Sequence, residues 1–358
     1  MNTKGLYIHV PFCVRKCPYC DFYSVTDLSL REKYTEAVIR NIKAKEISAD
    51  TIYFGGGTPS LLTAEQIDGI LSVVDIAPDA EITMECNPAT VTPQYMSDIL
   101  AAGVNRVSIG VQSLNNMELR HLGRIHTSDM AVNAVNTAYE AGFRNISADL
   151  MLCTPDQTPE TLKKTLDVLL TLPINHVSAY LLKIEEDTPF GIDWDIVSTL
   201  PSEDETADMY LSTCRILEEK GFRQYEISNF AQDGFESKHN LKYWRCEEYY
   251  GIGCTAHSYI DGVRTACKST VAEFIAADTQ PEYVTEDFGG DEEEKIMLAL
   301  RLTREGLNTS ALSSSFREKT IQKAAKLEEA GYIRRDGDCI MLTPKGCLVS
   351  NEIICELT

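Results

Sequence analysis

TIYFGGGTPSLLTAEQIDGILSVVDIAPDAEITMEC, from Thr51 to Cys86, contains one full repeat of the fold. Thr51 to Phe54 and Glu81 to Cys86 are short apolar runs rich in β-branched residues, the pattern of strands buried on both faces. Between them Thr63 and Gln66 make a capping box ahead of Ile67, Ile70, Leu71 and Val74, which recur at helical spacing. Working outward, the same kind of strand reads at Leu6 to Val10, Arg106 to Gln112, Ile146 to Leu152 and His176 to Leu182. Thr92-Pro93 and Thr158-Pro159 place a cap before a first-turn proline, and Gly103 and Gly142 supply the left-handed turn that closes a helix. Six β-α units in a row predict an α/β fold with a parallel sheet and crossover helices, either a barrel or an open wound sheet.

The last crossover helix reads from Glu203 to Lys220, and the region from Phe222 to about Gly290 looks irregular, a cover over the sheet. From Asp291 a helix opens on three glutamates, suited to the positive end of its dipole. Helical patterns at Thr309 to Phe316 and Glu318 to Ala330, a turn at Asp336-Gly337 and a final amphipathic helix give the order of a winged helix. The expected domains are 1–221, 222–290 and 291–358. Phe316 to Asp338 carries six basic and five acidic residues, so the basic face of a DNA reader is missing. Over all 358 residues the net charge is −21, a field that repels phosphate backbones, and no nucleic-acid partner is expected.

MNTKGLYIHVPFC has no leader pattern, and no run of about 18 uncharged apolar residues occurs. A cytoplasmic protein without a membrane segment is expected, so the twelve cysteines read as thiols, some of them metal ligands. Cys13, Cys17 and Cys20 sit C-x3-C-x2-C directly after the first strand, where a β/α fold puts its active-site loops. Three thiolates in so short a loop reach three corners of an iron-sulfur cube and leave one iron open. A structural zinc would want a fourth ligand, and none follows in the loop; His9 lies on the strand before it.

YIHVPFCVRKCPYCDF resembles the cluster loop of radical S-adenosylmethionine (radical SAM) proteins, in particular the group of oxygen-independent coproporphyrinogen oxidases (HemN). FGGGTPS, MECNP, IGVQS, LGRIHT and ISADL follow in that group's order at or just past predicted strands. The resemblance implies a partial (β/α)6 barrel with a C-terminal α+β extension, a [4Fe-4S] cluster on the three cysteines, and SAM at the open iron. It further implies that Gly56, Gly57 and Thr58 touch SAM, and that Tyr7, Tyr19, Glu85, Gln112, Arg124 and Asp149 line one or more SAM sites. Arg124 suits a carboxylate, and the acids suit hydroxyl or amine groups. Read without the resemblance, Glu85 and Asp149 also suit ordinary helix caps.

The oxidases continue the loop with a fourth cysteine where this chain has Phe22, which speaks against porphyrinogen oxidation. HNLKYW, from His239 to Trp244, matches instead the signature of the heme chaperone (HemW) branch, and CDF, LGRIHT and YEISNFA are similar to that branch as well. The implied function is heme binding and delivery to heme-requiring respiratory enzymes, some of them membrane-associated, with a homodimer left open. A porphyrin-modifying enzyme of the HemN group is the alternative. His239 offers an imidazole for heme iron, and Tyr243 and Trp244 offer flat area for a porphyrin. Equally, His239 would serve to hydrogen-bond a loop to the barrel; His257, Cys246 and Cys254 are further heme candidates. His121, His126 and His176 read as structural or near SAM. Two departures from the branch, Cys153 where glycine is usual and Cys254 with Thr255 where small residues are usual, imply a diverged pocket, with Cys153 narrowing the second SAM or substrate space.

Overall fold

The computed structural model describes residues 3–277 and 281–358. Strands β1 (Lys4–Val10), β2 (Ser48–Gly56), β3 (Asp75–Cys86), β4 (Arg106–Gln112), β5 (Asn145–Leu152) and β6 (His176–Leu181) lie side by side in sequence order, each parallel to the next. When the order never reverses, right-handed crossovers keep every helix on one face and the sheet curls around the other. This is a partial barrel; a doubly wound sheet would reverse at a switch point. Burial on both faces holds along β4 as far as Val111, but β6 emerges into the open at Tyr180 and Leu181.

The crossovers are α1 (Arg31–Lys45), α2 (Ala64–Leu71), α3 (Pro93–Ala101), the pair α4 (Asn116–His121) and α5 (Ser128–Ala141), and α6 (Pro159–Leu169). After β6 come two short turns, α7 (Pro189–Ile192) and α8 (Trp194–Val197), then α9 (Glu203–Glu219). The expected caps are present: Thr63 and Gln66 bond reciprocally, and Thr92 and Thr158 accept from the amides of Tyr95 and Thr161. Each such cap contributes about 1 kcal/mol.

Residues 222–290 do more than cover the barrel, because their strands lengthen the sheet at both edges. Beside β6 lie β8 (Asn229–Ala231) and β7 (Arg223–Gln224), both antiparallel. After α10 (Lys238–Trp244), β9 (Tyr249–Ile252) joins the other edge parallel to β1. Then β10 (His257–Ile260), β11 (Val263–Cys267) and β12 (Tyr283–Phe288) continue antiparallel, with α11 (Val271–Ala276) between the last two. The sheet has twelve strands among the described residues.

The carboxyl-terminal segment has the winged-helix order, with one correction. Helix α12 (Glu292–Ala299) starts on its three glutamates under an Asp291 cap, and β13 (Leu307–Asn308) follows. The two helical patterns expected next are a single α13 (Ser314–Glu329) behind a 3-10 turn at Thr309–Ala311, since Arg317 introduces no break. The hairpin β14 (Ile333–Asp336) and β15 (Cys339–Leu342), then α14 (Pro344–Leu348) and α15 (Ser350–Leu357), complete it. Thr303 ties the segment to the barrel, its amide donating to Tyr225 O and its hydroxyl to Gln224 O. Apolar packing is continuous from β1 to Leu357.

Candidate functional site

The loop after β1 carries Cys13, Cys17 and Cys20, all free thiols and all partly exposed. It is held at three points. The Cys13 amide donates to Val25 O at 3.0 Å, the Thr58 amide to Phe12 O at 2.7 Å, and the Phe190 amide to Pro18 O at 3.1 Å. Gly57 is required under it: a Cβ there would stand 2.8 Å from the carbonyl oxygens of Val10 and Phe12. Two donors face the sulfurs, Thr58 Oγ1 at 3.6 Å from Cys13 and Arg124 Nη1 at 3.7 Å from Cys17. Donors around sulfur suit thiolates that ligate a cluster. Burial pushes the Cys20 thiol up, and the neighbouring thiols of Cys17 and Cys13 add to this. Among the described residues no three His, Cys, Asp or Glu side chains gather to hold a single metal ion; on a cube each thiolate has its own iron, so the three need not converge.

Beside the loop a cavity of about 110 Å³ is lined by Gly57, Thr58, Glu85, Gln112, Arg124 and Asp149, six of the nine residues expected at SAM. Its groups are polar and only partly satisfied. Arg124 reaches Gly110 O at 3.2 Å and Tyr19 OH at 3.5 Å, but its Nε has no partner. Glu85 accepts from Tyr53 OH at 2.9 Å and from the Gly56 amide at 3.2 Å; burial pushes its carboxyl up to about 7. Asp149 accepts from Ser108 at 2.8 Å and is likewise raised by burial. Neither acid caps a helix, so that alternative falls. Gln112 sits at φ 64°, a left-handed conformation that costs a non-glycine residue about 1 kcal/mol and turns its side chain into the cavity. An unpaired guanidinium nitrogen and two acids fit a zwitterionic ligand with a ribose.

The other three candidates lie at the margins. Gly56, at φ 106°, packs against the His9 ring and gives its amide to Glu85. Tyr19 is reached through Arg124. Tyr7 faces a different and larger cavity, of about 620 Å³, on the far side of β1. That cavity is walled by the end of the cluster loop (Asp21, Phe22, Tyr23), by Tyr243 and Trp244 of α10, and by the hairpin β9–β10. Its size and largely apolar, aromatic lining are those of a cofactor pocket.

His239 does not line this cavity. It is 1% exposed, Nδ1 lies 2.9 Å from Thr51 Oγ1 and Nε2 2.8 Å from Tyr243 OH, and its ring stacks on Tyr53 with centroids 5.2 Å apart. Both nitrogens are engaged, so the imidazole braces Tyr243 from behind. Of the departures from the branch, Thr255 lines the large cavity, while the two cysteines lie elsewhere. Cys153 is buried at φ 61° and Cys254 is buried against Tyr34 OH; neither lines either cavity, so neither narrows it. The left-handed φ explains why glycine is usual at position 153. His126 bonds Val111 O, and His176 bonds Ser147 and Tyr225 OH, as structural residues do.

Comparison with known proteins is decisive for the family. Residues 7–169 match the radical SAM superfamily and residues 292–349 the HemN C-terminal domain. The heme chaperone HemW of Lactococcus lactis subsp. lactis is 35% identical over 98% of this chain and 96% of its own, and that of Bacillus subtilis 34% identical over 98% of each. The chain belongs to the HemW family. The HemW relative from Escherichia coli is 40% identical over 72% of this chain and 70% of its own. Coproporphyrinogen III oxidase (HemN) from Escherichia coli superposes with a TM-score of 0.81 at 20% identity, covering 99% of this chain and 90% of that one, which shows the fold alone.

Within this HemW-family fold, several site residues carried no assignment at the sequence level. Asn87 and Ser108 line the small cavity, and Tyr249, Tyr259 and Arg264 line the large one. Asn87 was visible within MECNP, and the aromatic alternation in YYGIGCTAHSY was the available signal for the hairpin. The pairing of β9 with β1 had no local signal at all.

Proposed function

We propose that this chain is a heme chaperone, which takes heme into the aromatic cavity of about 620 Å³ and passes it to heme-requiring respiratory enzymes from the cytoplasm. The observation that carries the reading is that the cluster loop itself, through Asp21 to Tyr23, forms one wall of that cavity, facing Tyr243 and Trp244. Among the described residues no helix is long and apolar enough to cross a membrane. In this reading Cys13, Cys17 and Cys20 hold a [4Fe-4S] cluster, which supplies an open iron for SAM and one-electron chemistry. Thr58 and Arg124 donate to the cysteine sulfurs, while Arg124 Nε, Gln112, Glu85 and Asp149 bind and orient SAM. Residues 1–221 form the barrel, 222–290 the heme-holding extension and 291–358 the winged-helix-like segment.

The test is anaerobic. Cluster-loaded protein given SAM, dithionite and coproporphyrinogen III yields no decarboxylated product by mass spectrometry, and heme-loaded protein restores activity to a respiratory apoenzyme. Loss of carbon dioxide from the porphyrinogen would instead establish an oxidase despite Phe22.

A further inference from the structure

Positions 106, 108 and 110 of β4 share one face of the sheet, and Ser108 and Gly110 line the small cavity. Arg106 therefore points into the barrel one layer below that cavity. Thr83 of β3 pairs with it in the parallel register, and Ser147 of β5 and His176 of β6 continue the layer. The histidine is neutral there: Nδ1 lies 2.7 Å from Ser147 Oγ and Nε2 2.9 Å from Tyr225 OH, and burial, joined by the charge of Arg106, lowers its pKa well below the ordinary value. Arg106 is thus the charged member of a polar layer. It is 1% exposed and its Nε has no partner, nor has Thr83 Oγ1 on the neighbouring strand. A guanidinium is among the costliest groups to bury unpaired, and it persists where other charges in the same interior repay it.

Those charges stand one layer up. Glu85 pairs with Ser108 and is the diagonal neighbour of Arg106 across β3 and β4, and Asp149 is held by the Ser108 hydroxyl at 2.8 Å; both acids line the small cavity. Burial raises both carboxyls, Asp149 adds to this at Glu85, and Arg106 acts in the opposite sense on each. The other groups that face the pair are the phenols of Tyr7, Tyr53, Tyr180 and Tyr243 and the Cys86 thiol, which burial of the hydroxyl or thiol raises and so keeps neutral. Arg124, the other cation at this cavity, turns Nη1 toward Cys17 and Tyr19 of the cluster loop. We propose that Arg106 is a positioning residue of the SAM site, the counter-charge beneath Glu85 and Asp149 that fits this pair of acids to a cationic ligand. SAM carries such charge on its ammonium and sulfonium groups. The proposal rests on the reading of the small cavity as the SAM site and names a residue outside its lining that tunes it.

The experiment measures SAM affinity of anaerobic, cluster-loaded, full-length protein by equilibrium dialysis across the range from about pH 6 to about pH 9. Because Glu85 ionises at about 7 in the folded chain, affinity of the unsubstituted protein is expected to fall as pH drops through that value. Arg106→Gln is expected to raise the midpoint by about one pH unit. At about pH 7.5 that leaves about a quarter of Glu85 ionised in place of about three quarters, a loss of affinity of about threefold that is recovered near about pH 9. Arg106→Lys keeps the charge and is expected to keep the profile. Thr83→Asp sets a carboxylate beside Arg106 and is expected to raise the midpoint in the same way with the arginine still in place, so it decides the matter where Arg106→Gln loses its cluster; cluster absorbance and circular dichroism show which variants fold. A midpoint that does not move, whether affinity is unchanged or weakened equally at every pH, would overturn the assignment while leaving SAM binding intact. Failure of the unsubstituted protein to bind SAM would overturn the reading of the small cavity itself.

Discussion

Replacing His239 by alanine tests whether this histidine is a brace or an iron ligand. The substitution removes hydrogen bonds to Thr51 Oγ1 and Tyr243 OH, together about 2 kcal/mol, and leaves a ring-sized hole beside Tyr53, roughly another 2 kcal/mol. At pH 7.5 the variant should therefore be about 4 kcal/mol less stable. Burial, with smaller contributions from Lys242 and Arg106, lowers the His239 pKa to about 3 in the folded chain, against 6.5 as its ordinary value. Below pH 6.5 the unfolded chain binds a proton at this residue that the folded chain refuses, so the intact protein loses stability as pH falls toward 3. The loss is about 1.4 kcal/mol per pH unit, or about 2 kcal/mol at pH 5. The variant has no such group, and the gap should shrink from about 4 to about 2 kcal/mol on acidification. Urea unfolding followed by circular dichroism at the two pH values measures this. A gap that stays constant or widens would mean that His239 is charged or accessible in the folded protein. A gap under about 1 kcal/mol together with loss of the iron–histidine stretching band of the ferrous heme complex would make it the heme ligand.

Gly57→Ala would press a Cβ into two backbone carbonyls of the cluster loop, costing about 1–3 kcal/mol and lowering iron bound per chain on reconstitution. Gly221→Ala, where nothing lies within 4 Å, should cost about 1 kcal/mol for its φ of 84° and leave iron content unchanged. Because Glu85 titrates near 7 in the folded chain, SAM-free protein binds a proton between pH 4.5 and 7 that the unfolded chain releases. Its stability should fall by about 3 kcal/mol as pH rises through that window, whereas Glu85→Gln should show a flatter profile in thermal melts. Cys20→Ser should abolish the cluster's visible absorbance and, by loosening the wall formed by Asp21 to Tyr23, slow heme transfer to an apoenzyme; unaltered transfer would refute that coupling.

The barrel was legible because buried parallel strands write themselves as continuous apolar runs, and because Thr63, Thr92 and Thr158 announce the helices that follow. Helix α1 was implied by the six β-α units but not located, because REKYTEAVIRNIKAK has few apolar residues and no side-chain cap on Leu30. Six residues that line the small cavity could be named from motifs at strand ends, which converge wherever a β/α barrel folds, while Asn87 and Ser108 carried no assignment. The large cavity was not. It requires Tyr249 beside Gly5 and Gly251 beside Tyr7, pairings across about 240 residues that leave no periodic trace. His239 shows the remaining limit: a sequence can name an imidazole but not the hydroxyls that meet its two nitrogens.

The strands that extend the sheet also create its second site. Parallel pairing of β9 with β1 sets the hairpin beside the root of the cluster loop, and α10 closes the opposite side with Tyr243 and Trp244. Between the two cavities stands a wall of packed rings. Tyr53 donates to Glu85 at the small cavity, Tyr7 stacks on Tyr53 at 6.3 Å, and His239 stacks on it at 5.2 Å while bonding Tyr243 at the large one. These packed, hydrogen-bonded rings partition the two cavities. In the proposed reading heme is held without being modified, and this separation serves it: SAM and the cluster would stay at the small cavity, and the cluster loop contributes Asp21, Phe22 and Tyr23 to the large one. Phe22, 66% exposed at that edge, puts an apolar ring where the oxidases carry their fourth cysteine.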